Sequence, residues 1–178
     1  GHEAPGDVPP LASRLEFPES WSILLVRPPA PPGRHGRDEV AAFAELPPVP
    51  LQTSERLCRL VLLDLLGAVA SGRLAAFGAA LEEIQREVGA AFAPAQGGVY
   101  ASPRAEALVA DLTRLGLVGV GQSSWGPTLY GFAEIPEEDR LAVDAKLRER
   151  HGLAPADLHW TRARNRGAEL ERIGSDLS

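Results

Sequence analysis

The chain has 178 residues, of which 44% are hydrophobic and 24% are charged, and its net charge at pH 7 is −6. This composition is typical of a folded globular domain with a substantial core and excludes a disordered polymer. The acidic balance also argues against a dedicated nucleic-acid surface, because binding to a phosphate backbone requires clustered cations.

The ends and the apolar runs of the chain carry two further expectations. No run of about 18 uncharged apolar residues occurs, and no basic segment followed by an apolar one opens the chain, so we expect a cytoplasmic protein with no membrane partner. The chain contains no methionine and begins with Gly1-His2. This start predicts that the chain was cut from a longer polypeptide.

The first half of the chain predicts one strand followed by helices. Prolines in residues 1–20 predict an extended lead-in, and the folded domain is expected over residues 21–178. The branched apolar run at residues 22–27 predicts a buried strand, and Asp38 to Leu46 predicts a helix. Thr53 or Ser54 is expected to cap a long helix that ends near Ala70.

The second half predicts more helices and three more strands. Residues 74–88 have apolar residues three or four apart and predict a helix that packs against the preceding one as an antiparallel hairpin. Residues 90–101 are rich in glycine and contain Pro94, which predicts a loop. Ser102-Pro103 predicts the start of a helix. The last predicted elements are strands at 116–121 and 128–133, a helix at 137–150 and a strand at 158–163.

The order strand, helices, strand, strand, helix, strand is typical of an α+β plait. We therefore expect a small, mainly antiparallel sheet of the ferredoxin-like type with helices on one side. A helical insertion between the first and second strands is the main departure from the minimal form.

One glycine-rich segment is the strongest candidate site. Glycines at Gly119, Gly121 and Gly126 flank Gln122, Ser123, Ser124 and Trp125. Close backbone approach, N–H donors and two hydroxyls suit an oxyanion or a phosphate. The spacing fits neither a P-loop nor a dinucleotide fingerprint, and a tight bend between two strands is an equal alternative.

Several separate residues are weaker candidates. His35 lies between glycines and could act as an acid, a base or a phosphate donor, or be a solvated loop residue. Glu39 could act in the site or simply stabilise the start of its helix. Gln96, beside Gly97 and Gly98, could orient a ligand or stabilise a turn. The histidines and Cys58 lack metal-ligand spacing, so no metal site is expected, and Cys58 is expected to be buried.

Three separated segments carry a resemblance to a known family. They are Phe17-Pro-Glu-Ser-Trp21, Gln96-Gly-Gly-Val-Tyr100 and Gly119-Val-Gly-Gln-Ser-Ser-Trp-Gly-Pro-Thr-Leu-Tyr130, supported by Gly33-Arg-His-Gly36 and by Asn165 within Arg164-Asn-Arg-Gly-Ala168. Together they resemble the β-ribofuranosylaminobenzene 5′-phosphate synthase family, which has the fold of the GHMP kinase superfamily. The resemblance is to the C-terminal half of the proteins in this family.

The resemblance implies a reaction and its partners. Members condense 4-aminobenzoate or 4-hydroxybenzoate with phosphoribosyl pyrophosphate, release carbon dioxide and pyrophosphate, and act in methanopterin biosynthesis. A magnesium ion would enter with the pyrophosphate substrate. The superfamily's N-terminal lobe is absent from this sequence, so that lobe is an expected partner, and a homodimer is a second way to cover exposed apolar surface.

Two other functions stay open at this point. The parent protein could be an ATP-dependent small-molecule kinase, although Gln122 to Trp125 interrupts the glycine pattern usual in such kinases. Alternatively, this chain could be a non-catalytic module that pairs with another polypeptide.

Overall fold

The computed structural model describes residues 10–31, 33 and 36–169. Within them, four strands form one sheet: β1 Ser22–Val26, β2 Val118–Gln122, β3 Leu129–Ala133 and β4 Leu158–Thr161. The α-helices are α1 Arg37–Glu45, α2 Leu51–Arg59, α3 Leu66–Ala70, α4 Leu74–Gln96, α5 Pro103–Arg114 and α6 Glu137–His151.

The strands are ordered β2-β3-β1-β4, and every neighbouring pair is antiparallel. Each of the two crossovers, from β1 to β2 and from β3 to β4, passes over one intervening strand, as in the ferredoxin-like plait. The predicted α+β fold, with a small antiparallel sheet and a helical insertion after the first strand, is confirmed.

Alternating side chains of β1 serve two separate cores. Leu24 and Val26 pack with Leu108 and Leu112 of α5 and with Leu147 of α6 on one face of the sheet. The helices α5 and α6 therefore lie on one side of the sheet, as predicted, whereas the inserted hairpin does not.

The inserted helical hairpin adds a layer on the opposite face. Ile23 and Phe132 pack there with Phe77 of α4 and with Trp21. Because successive residues of a strand point to opposite faces, the short central strand contributes to both cores.

The helix α4 lies unusually close to β2, and two glycines permit this approach. An added Cβ at Gly78 would lie 2.5 Å from the Cβ of Val118. Gly119 has a φ of 60° at a register shift in the pairing of β2 with β3. The side chain of Glu82 on α4 accepts a hydrogen bond from the Gly119 N–H at 2.9 Å. The inserted hairpin thus fixes the strand that leads into the glycine-rich turn.

The long helix at residues 51–70 departs from its predicted cap and winding. It begins at Leu51 after Pro50 with no side-chain cap, so neither Thr53 nor Ser54 caps it. Its central part, Leu60–Leu65, is π-helical, and α3 completes it. The predicted end of this helix near Ala70 is confirmed, and Arg56 pairs with Glu83 across the antiparallel hairpin. Cys58 is exposed, so the expectation that it is buried is wrong.

The predicted loop at 90–101 is wrong for its first seven residues, because α4 continues to Gln96 with Pro94 inside its last turn. Alanines in this stretch favour the helix. Phe92 also packs edge-on against Trp125 at a centroid distance of 4.6 Å. The helix ends where Gly97 adopts a left-handed conformation with a φ of 86°.

The described part of the lead-in is held to the domain by Phe17. Its ring packs edge-on against those of Trp21 and Phe77. The Asn165 side chain accepts a hydrogen bond from the Phe17 N–H and donates one to the Phe17 carbonyl, both at 2.9 Å. Residues 10–20 contain no helix or strand, as predicted, but Phe17 belongs to the second core.

A buried carboxylate joins the ends of α5 and α6. Asp111 accepts hydrogen bonds from His151 at 2.7 Å and from Arg150 at 3.1 Å, and Arg114 lies beside it. Burial by itself raises the pKa of the Asp111 carboxyl, but the His151 hydrogen bond and the two arginines outweigh burial and hold the pKa below its ordinary value. The ionised carboxylate therefore stabilises the contact between these helices.

We expect Asp111→Asn to lower the free energy of unfolding by about 2 kcal/mol near neutral pH, because a neutral amide leaves the two arginines and His151 without their anion. Because the pKa of Asp111 is lower in the folded than in the unfolded protein, its stabilisation is fully present above the unfolded pKa of about 3.9. The stabilisation is lost as pH falls through the folded pKa. Urea denaturation from pH 3 to 7 should show the difference between the two proteins shrinking below about pH 4. A difference independent of pH would contradict this account.

Candidate functional site

The glycine-rich segment forms the hairpin turn between β2 and β3. The Ser123 N–H donates to the Thr128 carbonyl, and the Gly126 N–H donates to the Ser123 carbonyl, both at 2.9 Å. Ser124 and Gly126 adopt positive φ values of 49° and 72°. Ser123 and Ser124 are exposed, and in the part of the chain that the structure describes neither hydroxyl has a hydrogen-bond partner. The turn thus leaves two hydroxyls exposed at the surface.

The buried side chain of Gln122 fixes the position of this turn. Its side chain is 5% exposed. The amide oxygen accepts a hydrogen bond from the Ala101 N–H at 2.8 Å, and the amide nitrogen donates one to the Ser124 carbonyl at 2.9 Å. Gln122 therefore ties the turn to the connection between α4 and α5. Both ends of its amide have protein partners, so its role is to position the turn.

Trp125 anchors the turn to α1 and α4. Its indole N–H donates to Glu39 on α1 at 3.2 Å. Its ring packs edge-on against Phe43 of α1 and against Phe92 of α4. Glu39 and Trp125, which were predicted as separate candidates, are thus direct partners.

The segment after β1 crosses the turn at close range. An added Cβ at Gly33 would lie 2.5 Å from the carbonyl oxygen of Gly126 and 2.6 Å from that of Trp125. Any other residue at this position would push the two backbones apart. The absence of a side chain at Gly33 therefore allows its backbone to lie directly against the turn.

A cavity of about 360 Å³ opens beside the turn. It is bounded by residues 28–31 and Gly33, by the end of α4, by the start of α5 and by Gln122, Trp125 and Pro127 of the hairpin. Its size falls in the range of small-molecule sites, about 300 to 1,000 Å³. The walls are mainly proline and alanine side chains with the Trp125 indole.

Gln96 lies in the wall of this cavity with one half of its amide unpaired. Its amide nitrogen donates to the Val99 carbonyl at 3.0 Å. Its amide oxygen is buried and has no hydrogen-bond partner among the described residues. A carbonyl can only accept, so the Val99 contact fixes the orientation of the amide. A donor that reached this oxygen would remove the desolvation penalty of an unpaired acceptor, about 1 to 3 kcal/mol.

The structure brings together most of the predicted site residues. Gln96, Gln122 and Trp125 line the cavity, and Glu39, Ser123, Ser124 and Gly126 lie at or beside the turn. Gly97 ends α4, and Gly98 follows in the connection to α5. His35 lies outside the described residues.

Gly119 and Gly121, which are predicted to approach a ligand, both pack closely against other parts of the protein. An added Cβ at Gly119 would lie 3.2 Å from the Phe132 ring, and one at Gly121 would lie 2.5 Å from the Tyr130 hydroxyl and 2.7 Å from Gln85. Asn165 uses both ends of its amide to hold Phe17. Close packing of α4 on β2, which the sequence did not predict, explains both glycines.

Tyr130 and Gln85 complete the support behind the turn. The Tyr130 hydroxyl donates to the Gln85 amide oxygen at 3.2 Å, and the Gln122 N–H donates to the same oxygen at 3.3 Å. Burial, assisted by the neighbouring Tyr100, raises the pKa of Tyr130. The phenol therefore stays neutral and acts as a hydrogen-bond donor.

The sequence interpretation missed Arg104, the second residue of α5, which is one of the residues that line the cavity. One guanidinium N–H group donates to the His151 carbonyl at 2.9 Å. No aspartate or glutamate among the described residues lies within ion-pair distance of it. One signal for Arg104 was present in the sequence. Ser102-Pro103 predicts a helix start, so Arg104 is expected in the first turn of that helix.

Two further observations concern metals and membranes. In residues 10–31, 33 and 36–169, no three histidine, cysteine, aspartate or glutamate side chains are grouped so that they could hold a metal ion. None of the helices in the same residues combines the length and apolar character that crossing a bilayer requires.

Comparison with known proteins identifies the domain. The family model described as "GHMP kinases C terminal" matches residues 65–150. The chain carries a GHMP kinase C-terminal domain. Solved structures share the fold of this chain. The match to the mevalonate diphosphate decarboxylase of Staphylococcus aureus covers 83% of this chain and 46% of that enzyme, with a TM-score of 0.57 and 10% identity. The Enterococcus faecalis enzyme covers 80% and 42% with a TM-score of 0.55 and 14% identity.

Curated relatives are more similar in sequence. The beta-ribofuranosylphenol 5′-phosphate synthase of Methanothermobacter thermautotrophicus is 31% identical over 160 residues, 90% of this chain and 46% of the relative. The Archaeoglobus fulgidus protein of the same name is 34% identical over 164 residues, 91% of this chain and 48% of the relative. The chain spans about half the length of these relatives. The synthase family that the sequence resembles is thereby confirmed.

We expect Gly121→Val to destabilise the GHMP domain by about 1 to 3 kcal/mol, because the new side chain would overlap Tyr130 and Gln85. The loss should appear as a lower midpoint in urea denaturation whether or not a ligand is present. Gly167→Val is the matched control, since an added Cβ there meets nothing within 4 Å. If Gly121→Val kept the stability of the wild type and lost only ligand binding, Gly121 would be a ligand-contact position after all.

Proposed function

We propose that the protein belongs to a synthase that transfers a phosphoribosyl group from phosphoribosyl pyrophosphate to 4-aminobenzoate or 4-hydroxybenzoate, with loss of carbon dioxide and pyrophosphate. The observation that carries this proposal is the similarity over about nine-tenths of the chain to relatives named beta-ribofuranosylphenol 5′-phosphate synthase. That name describes a ribose 5-phosphate joined to a phenol ring. We extend the proposal to methanopterin biosynthesis and to a cytoplasmic location, the setting that the family resemblance implies.

The proposed reaction balances as a substitution on the aromatic ring. A C–C bond forms between the anomeric carbon of the ribose and the ring carbon that bears the carboxylate. Pyrophosphate leaves with the electrons of the broken C–O bond. Carbon dioxide then leaves, and the electrons of its C–C bond restore the aromatic ring.

The β2–β3 turn supports this chemistry because charge develops on the departing pyrophosphate. Fixed hydrogen-bond donors directed at developing negative charge stabilise a transition state. Ser123 and Ser124 are exposed, and their backbone is held by Gln122 and by two hydrogen bonds within the turn. A turn fixed in this way loses little freedom when it binds a phosphate group.

Magnesium would be brought by the substrate. The cation binds oxygen ligands and commonly keeps several waters while it bridges phosphates. Among the described residues, Glu39 is a carboxylate beside the turn, and its contact with the Trp125 indole fixes its position. In this proposal the protein orients the pyrophosphate, and a magnesium ion bound with it would supply positive charge.

Turnover by the product of the complete gene tests the proposal. The protein is incubated with magnesium, phosphoribosyl pyrophosphate and either aromatic acid, and carbon dioxide and pyrophosphate are measured. We expect both products in equal amounts and no requirement for ATP. Formation of ADP from ATP, with no pyrophosphate release, would replace this proposal with a small-molecule kinase.

We expect Ser123→Ala and Ser124→Ala to raise the Kd for phosphoribosyl pyrophosphate by about 10-fold to 100-fold, since a hydrogen bond to a charged oxygen contributes about 1.5 to 3 kcal/mol. Titration calorimetry measures the Kd, and thermal melts should show unchanged folding. Ser20→Ala, at an exposed position before β1, is the control. Wild-type affinity in both turn variants would show that the hydroxyls do not bind the substrate.

A further inference from the structure

The cavity beside the turn has a chemistry different from that of the turn itself. We propose that this cavity binds a single-ring aromatic carboxylate, that Arg104 is the partner of its carboxylate, and that the Gln96 amide oxygen accepts a hydrogen bond from a second substituent on the ring. The inference rests on the proposed function, and it assigns the aromatic substrate a site of its own.

The walls of the cavity favour a flat apolar ligand. Most of the residues that line the space are prolines and alanines, and Trp125 is among the others. Burying apolar surface against such walls stabilises a ring by about 25 cal/mol per Å². A sugar diphosphate would lose its hydration against the same walls and gain few hydrogen bonds in return.

Arg104 gives the cavity a local positive charge in an acidic protein. Among the residues that the structure describes, those that line the cavity include this arginine and no aspartate or glutamate. The guanidinium group carries five N–H donors in a planar fork that matches a carboxylate, and the His151 carbonyl uses one of them. Arg104 also lies in the first turn of α5, where the helix dipole adds to the positive potential.

Gln96 supplies a second polar contact of the opposite kind. Its amide oxygen is an acceptor held by the Val99 contact and lacks a donor among the described residues. A hydroxyl or an amino group on the ring donates a hydrogen bond, whereas a second carboxylate would be repelled by this oxygen. Since this oxygen is buried, the Gln96 side chain must move to reach a ligand, and the Val99 contact that orients it in the free protein must shift with it.

The position of the cavity agrees with the proposed bond formation. Trp125 belongs both to the cavity wall and to the turn that carries Ser123 and Ser124. A ring in the cavity therefore lies next to a phosphoribosyl group held at the turn. Holding two reactants side by side is a major source of rate acceleration.

Three ligands test the assignment on the product of the complete gene, without phosphoribosyl pyrophosphate. We would titrate 4-hydroxybenzoate, benzoate and phenol while following the Trp125 indole N–H signal by NMR, with Trp125→Phe to identify that signal. We expect 4-hydroxybenzoate to bind most tightly, and benzoate and phenol each to bind at least 10-fold more weakly. No shift of the Trp125 signal with any ligand would overturn the cavity assignment.

Arg104→Met separates a direct contact from a structural one. We expect it to weaken 4-hydroxybenzoate and benzoate by at least 10-fold and to leave phenol unchanged, because phenol has no carboxylate. Arg104→Lys keeps the charge and should recover part of the affinity. Arg59→Met, on the exposed face of α2, is the matched control and should bind all three as the wild type does. Equal weakening of phenol by Arg104→Met would overturn the role of Arg104.

Gln96→Leu tests the second contact. We expect it to remove the preference for 4-hydroxybenzoate over benzoate while benzoate affinity stays within about 2-fold of that of the wild type. A preference that survives would overturn the role of Gln96. Failure of this assignment is distinguishable from failure of the proposed function. Binding of the acid without turnover would support the cavity assignment and contradict the synthase activity. Turnover by Arg104→Met with the wild-type KM for the acid would support the synthase activity and contradict the role of Arg104.

Discussion

The arrangement of the candidate site depends on one buried amide. Gln122 is the last residue of β2, and its side chain binds the Ala101 N–H on one side and the Ser124 carbonyl on the other. A glutamine is long enough to reach both backbones and carries one acceptor and a donor group. The hairpin turn, the end of α4 and the start of α5 are therefore joined at one point, and the cavity is the space left between them.

This junction requires that α4 stays close to the sheet. Gly78 has no side chain that would separate α4 from β2. Gly119 lies at the register shift between β2 and β3, and its N–H donates a hydrogen bond to Glu82. Because side chains in protein interiors are packed at crystal-like density, a small bulk at either glycine would displace the strand. Such a displacement would be transmitted to the turn.

In the proposed function, the polar turn and the apolar cavity bind different chemical groups. The turn offers hydroxyls at an exposed position, which suits a highly charged phosphate that keeps part of its hydration. The cavity offers hydrocarbon walls, the Trp125 ring and one arginine, which suit a ring with a single charge. Glu39 and Phe43 of α1 contact Trp125, so the packing of a short surface helix is coupled to both parts.

The amino-acid sequence by itself determined the order of strands and helices, because periodic apolar residues, prolines and glycines act locally. It also determined the family, through the segments around Gln96 and Gln122, and the helix start at Ser102. Only the tertiary structure decided what each residue does. Gly119 and Gly121 approach a helix from another part of the chain, Gln122 and Asn165 bind backbone far away in sequence, and α4 continues through Pro94 because Phe92 packs on Trp125. Arg104 likewise lines the cavity only because the strand and turn segments are folded around the start of α5. Such contacts join residues that are distant along the chain, and local patterns carry no information about them.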